Sequence, residues 1–470
     1  MAEPSEGEPS GLRLLHDAKE AFAARLMLIR SARQTLDIQY YIWHSDISGA
    51  LLLEEIAEAA GRGVQVRLLL DDNGIDGLDA RLALLDEHPG IAVRLFNPFP
   101  LRRFRAANWL FAFKRLNSRM HAKSLTADRR ATIVGGRNIG DEYFGAQSRG
   151  QFDDLDMLAV GPVAAEVEQV FEDHWQSQAA RPIGAIVGPL SARQRRKALR
   201  DAEIATRCEA AERYRGDIAA LPWFDAADPG HADLVWAPAR AVAAYPPPEP
   251  SRKTARSGLA ELLPRGLASP AREIILISGY FVPTRTGCGE LAELRERGTR
   301  VRVLTNSFAA TDVGLVHAGY APCRRTLLEH GIELFEMPAP DDAPKTGGKF
   351  VRSGSARTRR QSGKSLHAKV YIVDRRQLYI GSANFDPRSA HINTELGFFI
   401  ESAALAETLA QAFERAARSS YRLDLSPGGA LLWTDARDAQ PRAERTEPGT
   451  NIVTRAIIRL LARLAIDDQL

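Results

Sequence analysis

The sequence has few of the features that mark membrane-spanning, disulfide-rich or strongly basic proteins. No apolar run reaches the roughly 18 residues that a membrane-spanning helix needs, so no such helix is predicted. The three cysteines, Cys208, Cys288 and Cys323, are far apart in sequence, which argues against a zinc site and leads us to expect reduced thiols. The net charge is only +3, so the composition permits an anionic partner without requiring nucleic acid.

The length of the chain predicts more than one folding unit. At 470 residues it exceeds the usual size of a single domain, so two domains or two fused halves are expected. Hydrophobic residues make up 45% and charged residues 26%, which is typical of a globular protein with a large core. Residues 1–11 are polar and lack the apolar segment of a signal peptide, so we expect a disordered leader there.

One spaced pattern, His-x-Lys-x-x-x-x-Asp, occurs twice. In each copy a glycine follows 14 residues after the histidine and an asparagine 17 residues after it. A single His-Lys pair would indicate little, but repetition with matching offsets indicates one site built from both copies. The members are His121, Lys123, Asp128, Gly135 and Asn138 in the first copy and His367, Lys369, Asp374, Gly381 and Asn384 in the second.

Each copy is predicted to form a β-hairpin. An alternating strand leads into the turns at 128–130 and 374–376, and an apolar strand follows each turn. Residues two apart on a strand point to the same face, so each histidine should face outward with its lysine. The aspartates have the opposite parity and lie beside the turns, and we therefore interpret Asp128 and Asp374 as groups that fix the hairpins.

These residue types suit the chemistry of a phosphodiester. Lysine ammonium and amide N–H groups neutralise the phosphate charge, which an attacking group would otherwise meet. One histidine can attack phosphorus while the other protonates the leaving alcohol and then deprotonates the acceptor. The chemistry needs no metal and no cofactor.

The doubled motif resembles that of the phospholipase D superfamily, and its flanking residues are similar to the cardiolipin synthase C type. The resemblance covers roughly residues 12–435. The flanking segments that carry it are Gly135 to Asp141, Thr305 to Tyr320, Asn384 to Ser389 and Asn393 to Glu395.

The resemblance implies a role for each site residue. His121 would be the nucleophile and His367 the acid and base, although the sequence itself is nearly symmetric. One acidic residue in each half would orient an imidazole. By their distance from the motif, these residues would be Asp154 in the first half, with Asp156 as the alternative, and Glu395 in the second half. The phosphate-binding groups would be Lys123, Lys369, Asn138 and Asn384, with Gly135, Gly381 and Ser382 beside them; Gly136 stands where the second half has Ser382.

Matching segments extend the duplication to whole halves, at residues 12–180 and 231–425. In each half, strands alternate with helices before the hairpin, and a strand and a helix follow it, which predicts an α/β sandwich with a mixed sheet. Two such halves related by a pseudo-twofold axis would place both hairpins at one seam, as the resemblance also implies. Residues 181–230 have no counterpart and are interpreted as a solvated connector.

Two further segments are basic. Residues 338–365 form a polar insert that is predicted to be mobile. In the tail, 426–470, residues 450–466 place three arginines four residues apart, opposite an apolar face. This pattern is typical of a helix lying in an anionic membrane surface. A helix docked on the protein's own core is the alternative.

The leading hypothesis is a phosphatidyltransferase of the cardiolipin synthase type. By resemblance, the donor would be phosphatidylethanolamine or phosphatidylglycerol, and the acceptor phosphatidylglycerol. Alternatives are hydrolysis by a phospholipase D, a nuclease of the same superfamily and a scaffold without activity. We expect phospholipid substrates, no nucleic acid and a peripheral position on the cytoplasmic face of the bacterial inner membrane; a protein partner stays open.

Overall fold

Strands and helices alternate along the chain in two similar halves. The structure, a computed structural model, describes residues 8–102, 107–108, 113–146, 152–221, 233–245, 270–339, 365–435, 437 and 443–463. Within these residues no helix is both long and apolar enough to cross a bilayer.

The first half contains a mixed sheet flanked by helices. Its strands are β1 (Pro9–Leu15), β2 (Thr35–Tyr40), β3 (Gln65–Asp71), β4 (Ile91–Phe96), β5 (Ser124–Ala127), β6 (Ala131–Gly135), β7 (Phe152–Asp153), β8 (Asp156–Val160) and β9 (Ala180–Pro182). Its helices are α1 (Ala18–Ser31), α2 (Ile47–Gly61), α3 (Asp79–Leu85), α4 (Phe113–Asn117), α5 (Asp141–Phe144), α6 (Pro162–Gln176) and α7 (Gly184–Val187). In the sheet, the order is β1-β8-β6-β5-β2-β3-β4-β9, and β2, β3 and β4 are parallel.

Two helices, α8 (Ala192–Arg207) and α9 (Glu209–Ala219), lead to the second half. The strands of that half are β10 (Val235–Ala244), β11 (Glu273–Ser278), β12 (Arg300–Asn306), β13 (Glu333–Met337), β14 (Ser365–Leu366), β15 (Lys369–Val373), β16 (Gln377–Gly381), β17 (Glu395–Glu401), β18 (Tyr421–Leu425), β19 (Leu431–Asp435) and β20 (Ala443–Glu444). Its helices are α10 (Thr284–Glu296), α11 (Gly314–Tyr320), α12 (Arg324–Glu329), α13 (Pro387–His391), α14 (Ala403–Arg418) and α15 (Ile452–Arg463). The order β10-β17-β16-β15-β11-β12-β13-β18 repeats that of the first sheet, and β19 and β20 extend its edge.

The two halves meet along their sheets. Strands β1 and β10 pair antiparallel from Pro9↔Pro238 to Leu12↔Val235, which makes one continuous sheet. Between the halves lies a shared apolar core that includes Leu12, Phe171 and Phe413. The predicted architecture of two fused α/β halves with mixed sheets is confirmed.

Short polar signals set the ends of the helices. Asp17 accepts hydrogen bonds from the first turn of α1, and Ser402 does the same for α14. Gly63 follows α2 with φ +97°, and Gly298 follows α10 with φ +92°. Both glycines follow an arginine, so the Arg-Gly pairs end the helices because the glycine tolerates a left-handed conformation.

Several expected boundaries differ from the structure. Strand β1 begins at Pro9, so the polar leader does not extend to Gly11; pairing with β8 and β10 buries Ser10 completely. In the connector, Tyr214 and Ile218 of α9 are buried in the first-half core, so this segment is more than a solvated link. Most of the basic insert, residues 340–364, lies outside the described residues, as do residues 1–7 and 464–470.

The expectation of three reduced thiols is wrong for two of them. Cys288 of α10 and Cys323, at the end of the 3-10 turn Ala321–Cys323, form a disulfide with their Cα atoms 6.5 Å apart. Their separation of 35 residues gave no sign of this pairing, because the packing of α10 beside the turn brings them together. Cys208 is free.

Candidate active site

Both motif hairpins are fixed by the third residue of the motif. Asp128 accepts hydrogen bonds from the backbone N–H groups of residues 33–35, and Asp374 accepts them from residues 271–273, at 2.7–3.0 Å. Both aspartates adopt φ +52° in the tight turn. Their carboxylates therefore hold the hairpin to the neighbouring strand instead of facing a substrate.

Each motif histidine is held by backbone of the opposite half. The N–H of His121 donates to Thr394 O at 2.9 Å, and the N–H of His367 donates to Asp153 O at 2.8 Å. Within each half, the preceding residue is held as well: Met120 N donates to Asp71 and Leu366 N donates to Asn306. The two histidines consequently occupy equivalent positions on either side of the seam.

The acidic partners of the imidazoles are exchanged between the halves. His121 Nδ1 lies 2.8 Å from Glu395, and His367 Nδ1 lies 2.5 Å from Asp154. Each imidazole thus has its carboxylate at Nδ1, which leaves Nε2 for chemistry. Asp156, the rival for the first acidic position, lies 2.8 Å from Arg25 in a buried ion pair and does not contact an imidazole.

The motif lysines are buried between these pairs. Lys123 and Lys369 are each 1% exposed. Lys123 Nζ donates to His121 O at 2.6 Å, and Lys369 Nζ lies 3.0 Å from His367 Nδ1. Burial, reinforced by the charge of Lys369, lowers the pKa of Lys123 to about 7, and burial also lowers the pKa of Lys369. Such ammonium groups favour an anion between them.

The two imidazole pairs differ in their electrostatics. Burial, followed by the charges of Lys123 and Lys369, places the pKa of His121 well below its ordinary value, and burial raises the pKa of Glu395 to about 7. In the other pair, burial opposes ionisation of Asp154, but the charges of His367 and Lys369 hold its pKa well below the usual range. Asp154 therefore stays an anion beside His367, whereas the His121 pair carries less negative charge.

Gly136 and Ser382, at matching positions of the two halves, lie against the acidic partners of the imidazoles. A Cβ on Gly136 would lie 2.1 Å from Asp154 Oδ1, so the absence of a side chain makes room for this short carboxylate. At the matching position, the Ser382 hydroxyl donates to Glu395 and accepts from Leu396 N at 3.0 Å. Ser382 therefore supports an acidic partner of an imidazole, and its role in substrate binding stays a prediction.

Gly135 and Gly381 allow close contact between strands. A Cβ on Gly135 would lie 2.5 Å from Asp156 Cα, and one on Gly381 would lie 2.5 Å from Gly397 Cα. These glycines consequently let β6 pack against β8, which follows Asp154, and let β16 pack against β17, which begins at Glu395. Their place beside a substrate stays a prediction.

The two motif asparagines are buried but have different contacts. Asn138 Nδ2 donates to the Tyr143 hydroxyl at 3.0 Å, and its Oδ1 accepts from Ile42 N. Asn384 is 5% exposed, and its buried Oδ1 has no hydrogen-bond partner among the described residues.

Aromatic side chains that the sequence analysis did not select surround the imidazoles. The Tyr41 ring lies 5.3 Å from the His121 ring. The His367 ring faces Phe152 at 5.0 Å, Tyr143 at 5.5 Å and Tyr280 at 6.3 Å. Tyr41 lies one residue after β2 and Tyr280 two residues after the matching strand β11, and that similar place in the repeat was the available signal.

Among the described residues, one group with the geometry of a metal site occurs, His44, Asp46 and Glu142, whose ligand atoms lie within 4.8 Å of one another. It contains no motif residue. Asp46 also accepts hydrogen bonds from Gly49 N and Asp141 N, so its carboxylate caps α2.

Comparisons with known proteins agree with this architecture. Cardiolipin synthase C of Escherichia coli (strain K12) is 39% identical, over 97% of this chain and 95% of that protein. Cardiolipin synthase A of Pseudomonas entomophila (strain L48) is 27% identical, over 85% of this chain and 67% of that protein. The crystal structure of phosphatidylserine synthase from Haemophilus influenzae Rd KW20 has the same fold, with a TM-score of 0.59, 15% identity and coverage of 98% and 96% of the two chains.

A family profile matches both halves separately. The matched residues are 26–175 and 265–417, each of which contains one hairpin and the acidic residue that follows it. The chain therefore belongs to the phospholipase D-like family described as "Cardiolipin synthase, PLD-like domain".

Proposed function

We propose that the protein is a phosphatidyltransferase that forms cardiolipin. A phosphatidyl group would move from phosphatidylethanolamine or phosphatidylglycerol to the free hydroxyl of phosphatidylglycerol. The observation that carries this proposal is the exchange of acidic partners across the seam; together with the charges of Lys123, Lys369 and His367 that act on His121, it supports one shared site. The names of the cardiolipin synthase relatives support the choice of substrates.

In the first step, His121 Nε2 attacks the phosphorus of the donor. A bond forms between nitrogen and phosphorus, and the bond from phosphorus to the headgroup oxygen breaks while His367 supplies a proton to that oxygen. Lys123, Lys369 and the amides of Asn138 and Asn384 would balance the charge on the phosphate oxygens. The product is a phosphatidylated His121 and a free headgroup alcohol.

In the second step, the acceptor takes the place of the departed alcohol. His367 removes the proton from its hydroxyl, the new oxygen bonds to phosphorus, and the bond to His121 breaks. Both steps use the same imidazole for proton transfer, first as acid and then as base.

The asymmetry of the two pairs supports His121 as the nucleophile. A nucleophilic imidazole must be neutral, and the pKa of His121 lies well below its ordinary value because of burial and the nearby lysines. Burial and the charge of Lys369 lower the pKa of His367 as well, but the Asp154 anion beside it opposes that shift and stabilises the charged form that a proton carrier needs. A bound phosphate would add negative charge, which favours protonation of His367.

The C-terminal helix supports the peripheral position on an anionic membrane that we propose, and the cytoplasmic face is a part of that proposal that rests on the resemblance. Ile458 of α15 packs against Phe308 and Ala318, so the helix is docked on the protein. Its outer face nevertheless exposes Ile452 by 76% and Leu460 by 59%. Docking on the core and contact with lipid are thus compatible, because they use different faces of α15.

The test supplies purified protein with labelled phosphatidylglycerol, alone and with phosphatidylethanolamine, and identifies the products by mass spectrometry. Cardiolipin is the expected product. Phosphatidic acid alone would show hydrolysis with water as acceptor, and cleavage of an oligonucleotide in a parallel assay would show a nuclease; either result would overturn the proposal.

A further inference from the structure

The charged groups outside the motif differ between the two sides of the site. On the His121 side, the Arg388 guanidinium donates to Asn117 Oδ1 at 2.7 Å and to Asn117 O at 2.8 Å, four residues before His121. On the His367 side, Tyr143 is adjacent in sequence to Glu142, and the charges of Glu142 and Asp312 add to burial in raising the pKa of its hydroxyl. Each imidazole has its own lysine and carboxylate, but the outer charged groups are cationic beyond His121 and anionic beyond His367, and we call these the positive and the negative end of the site.

Asp312 is the carboxylate of the negative end. Both of its oxygens accept from the Tyr280 hydroxyl, at 2.9 and 2.8 Å, and the Tyr280 ring stands edge-on to His367. The side chain is partly exposed. No lysine, arginine or histidine of the described part of the chain forms a salt bridge with it, although its charge acts on the buried ammonium of Lys369.

Aromatic rings surround the same end. Phe152 and Tyr143 are stacked with their centroids 4.8 Å apart, and both face His367 together with Tyr280. Aromatic rings beside a carboxylate are the groups that bind an ammonium ion, through cation–π attraction and charge. The His121 side differs, because Tyr41 is the ring that faces His121 among the described residues and the charge of Arg388 acts there.

The chemistry determines which part of a substrate meets this end. His367 delivers a proton to the departing headgroup oxygen, so the headgroup lies on the His367 side of phosphorus, opposite the nucleophile. A headgroup with an ammonium ion would place its positive charge near Asp312 while its phosphate lies among the lysines. The polarity of the site thus matches the dipole of a zwitterionic headgroup.

We propose that Asp312, Tyr280 and the neighbouring aromatic rings form a subsite for the ammonium of the donor headgroup. Donors that carry an ammonium alcohol would then be selected over donors with an uncharged polyol. The inference rests on the proposed function and deepens it, because it names the residue that chooses between the two donors. The reacting end of the acceptor is an uncharged glycerol, so the subsite does not select it.

The test compares two donors with the same acyl chains and either an ethanolamine or a glycerol headgroup. Release of each headgroup in mixed micelles gives kcat/KM for each donor. For the wild-type protein, we expect a ratio of at least about tenfold in favour of the ethanolamine donor, the size that one desolvated ammonium contact gives. Asp312→Asn should lower that ratio roughly tenfold.

Two matched variants separate charge from structure. Asp312→Glu keeps the carboxylate and should retain most of the preference. Tyr280→Phe keeps the ring and the carboxylate but removes their hydrogen bond, and it should also retain the preference. Thermal unfolding of each variant checks that the fold is kept.

The outcomes are distinct for the two proposals. Equal kcat/KM for both donors in the wild-type protein, or an unchanged ratio in Asp312→Asn, would overturn the ammonium subsite while the proposed function stands. Failure of the wild-type protein to transfer from either donor would overturn the proposed function and the subsite together.

Discussion

At the scale of single residues, Gly136 shows how the two halves of a duplicated site adjust to different partners. The space that a side chain would fill holds the Asp154 carboxylate, whereas Ser382 at the matching position reaches the longer Glu395. A short acid therefore goes with glycine and a long acid with serine.

Gly136→Ser should displace Asp154 and weaken its contact with His367. We expect kcat to fall by about tenfold or more, because a misplaced orienting group is costly to proton transfer. The matched control is Gly216→Ser on α9, where an added Cβ meets nothing within 4 Å and activity should be kept. Wild-type kcat in Gly136→Ser would contradict this explanation of the glycine.

The ionisation of Lys123 predicts how anion binding depends on pH. Its pKa is lowered to about 7 by burial, and a bound phosphodiester would raise it, so binding takes up a proton above that pH. The affinity for dimethyl phosphate should thus be greatest below pH 7 and weaken by up to about tenfold per unit above it. Calorimetric titrations at several pH values measure this slope, and tighter binding at higher pH would refute the assignment.

At the scale of elements, the hairpins depend on the third motif residue. Partial burial acts to raise the pKa of Asp128, but three backbone N–H donors hold it below its ordinary value. The same is true of Asp374. Because the folded pKa is lowered, this stabilisation is present above about pH 4 and is lost as the pH falls.

Asp374→Ala should lower the free energy of unfolding by about 2 kcal/mol or more, since it leaves three N–H groups without their acceptor. Urea denaturation at pH 7 measures the change, and Asp424→Ala on β18, at a side chain 44% exposed, is the control. The difference between wild type and Asp374→Ala should shrink as the pH falls through 4. An equal difference at every pH would exclude the ionised carboxylate as its source.

The exposed face of α15 makes a prediction about lipid binding. Leu460→Glu, at a side chain 59% exposed, should weaken sedimentation with phosphatidylglycerol vesicles by about tenfold, because a charge replaces a leucine in the interface. The control, Leu199→Glu, places the same charge at a residue of α8 that is 58% exposed. Equal binding of the two variants would argue against contact through α15.

At the scale of the whole molecule, the duplication explains what the sequence could predict. The residue types of both hairpins follow from phosphate chemistry, and the repeated order of strands and helices was enough to predict two α/β halves. The resemblance named Glu395 and Asp154 as orienting residues, but which imidazole each one contacts could not be predicted, because they act across a seam whose contacts appear only when the halves pack. The roles of the site residues in catalysis stay predictions.

Long-range packing also accounts for the other differences. Ser382 faces Glu395 because β16 and β17 are neighbours, and Cys288 meets Cys323 through tertiary contact. The tail is held by Glu447, which lies 2.6 Å from His317 and 2.7 Å from Arg324. These two buried contacts of Glu447 reach residues 130 and 123 positions earlier in the chain, and local sequence patterns do not reveal such contacts.

The central claim is that both halves act on one phosphorus, with His121 as the nucleophile and His367 as the proton carrier. The most direct test uses His367→Asn with a phosphatidyl donor whose leaving group is p-nitrophenol, which departs without an acid. Peptide mass spectrometry after an acid-free quench should find the phosphatidyl group on His121, since the intermediate lacks the base that resolves it, while His121→Asn should carry none. A phosphatidyl group on His367 in His121→Asn, or none on His121 in His367→Asn, would contradict the account.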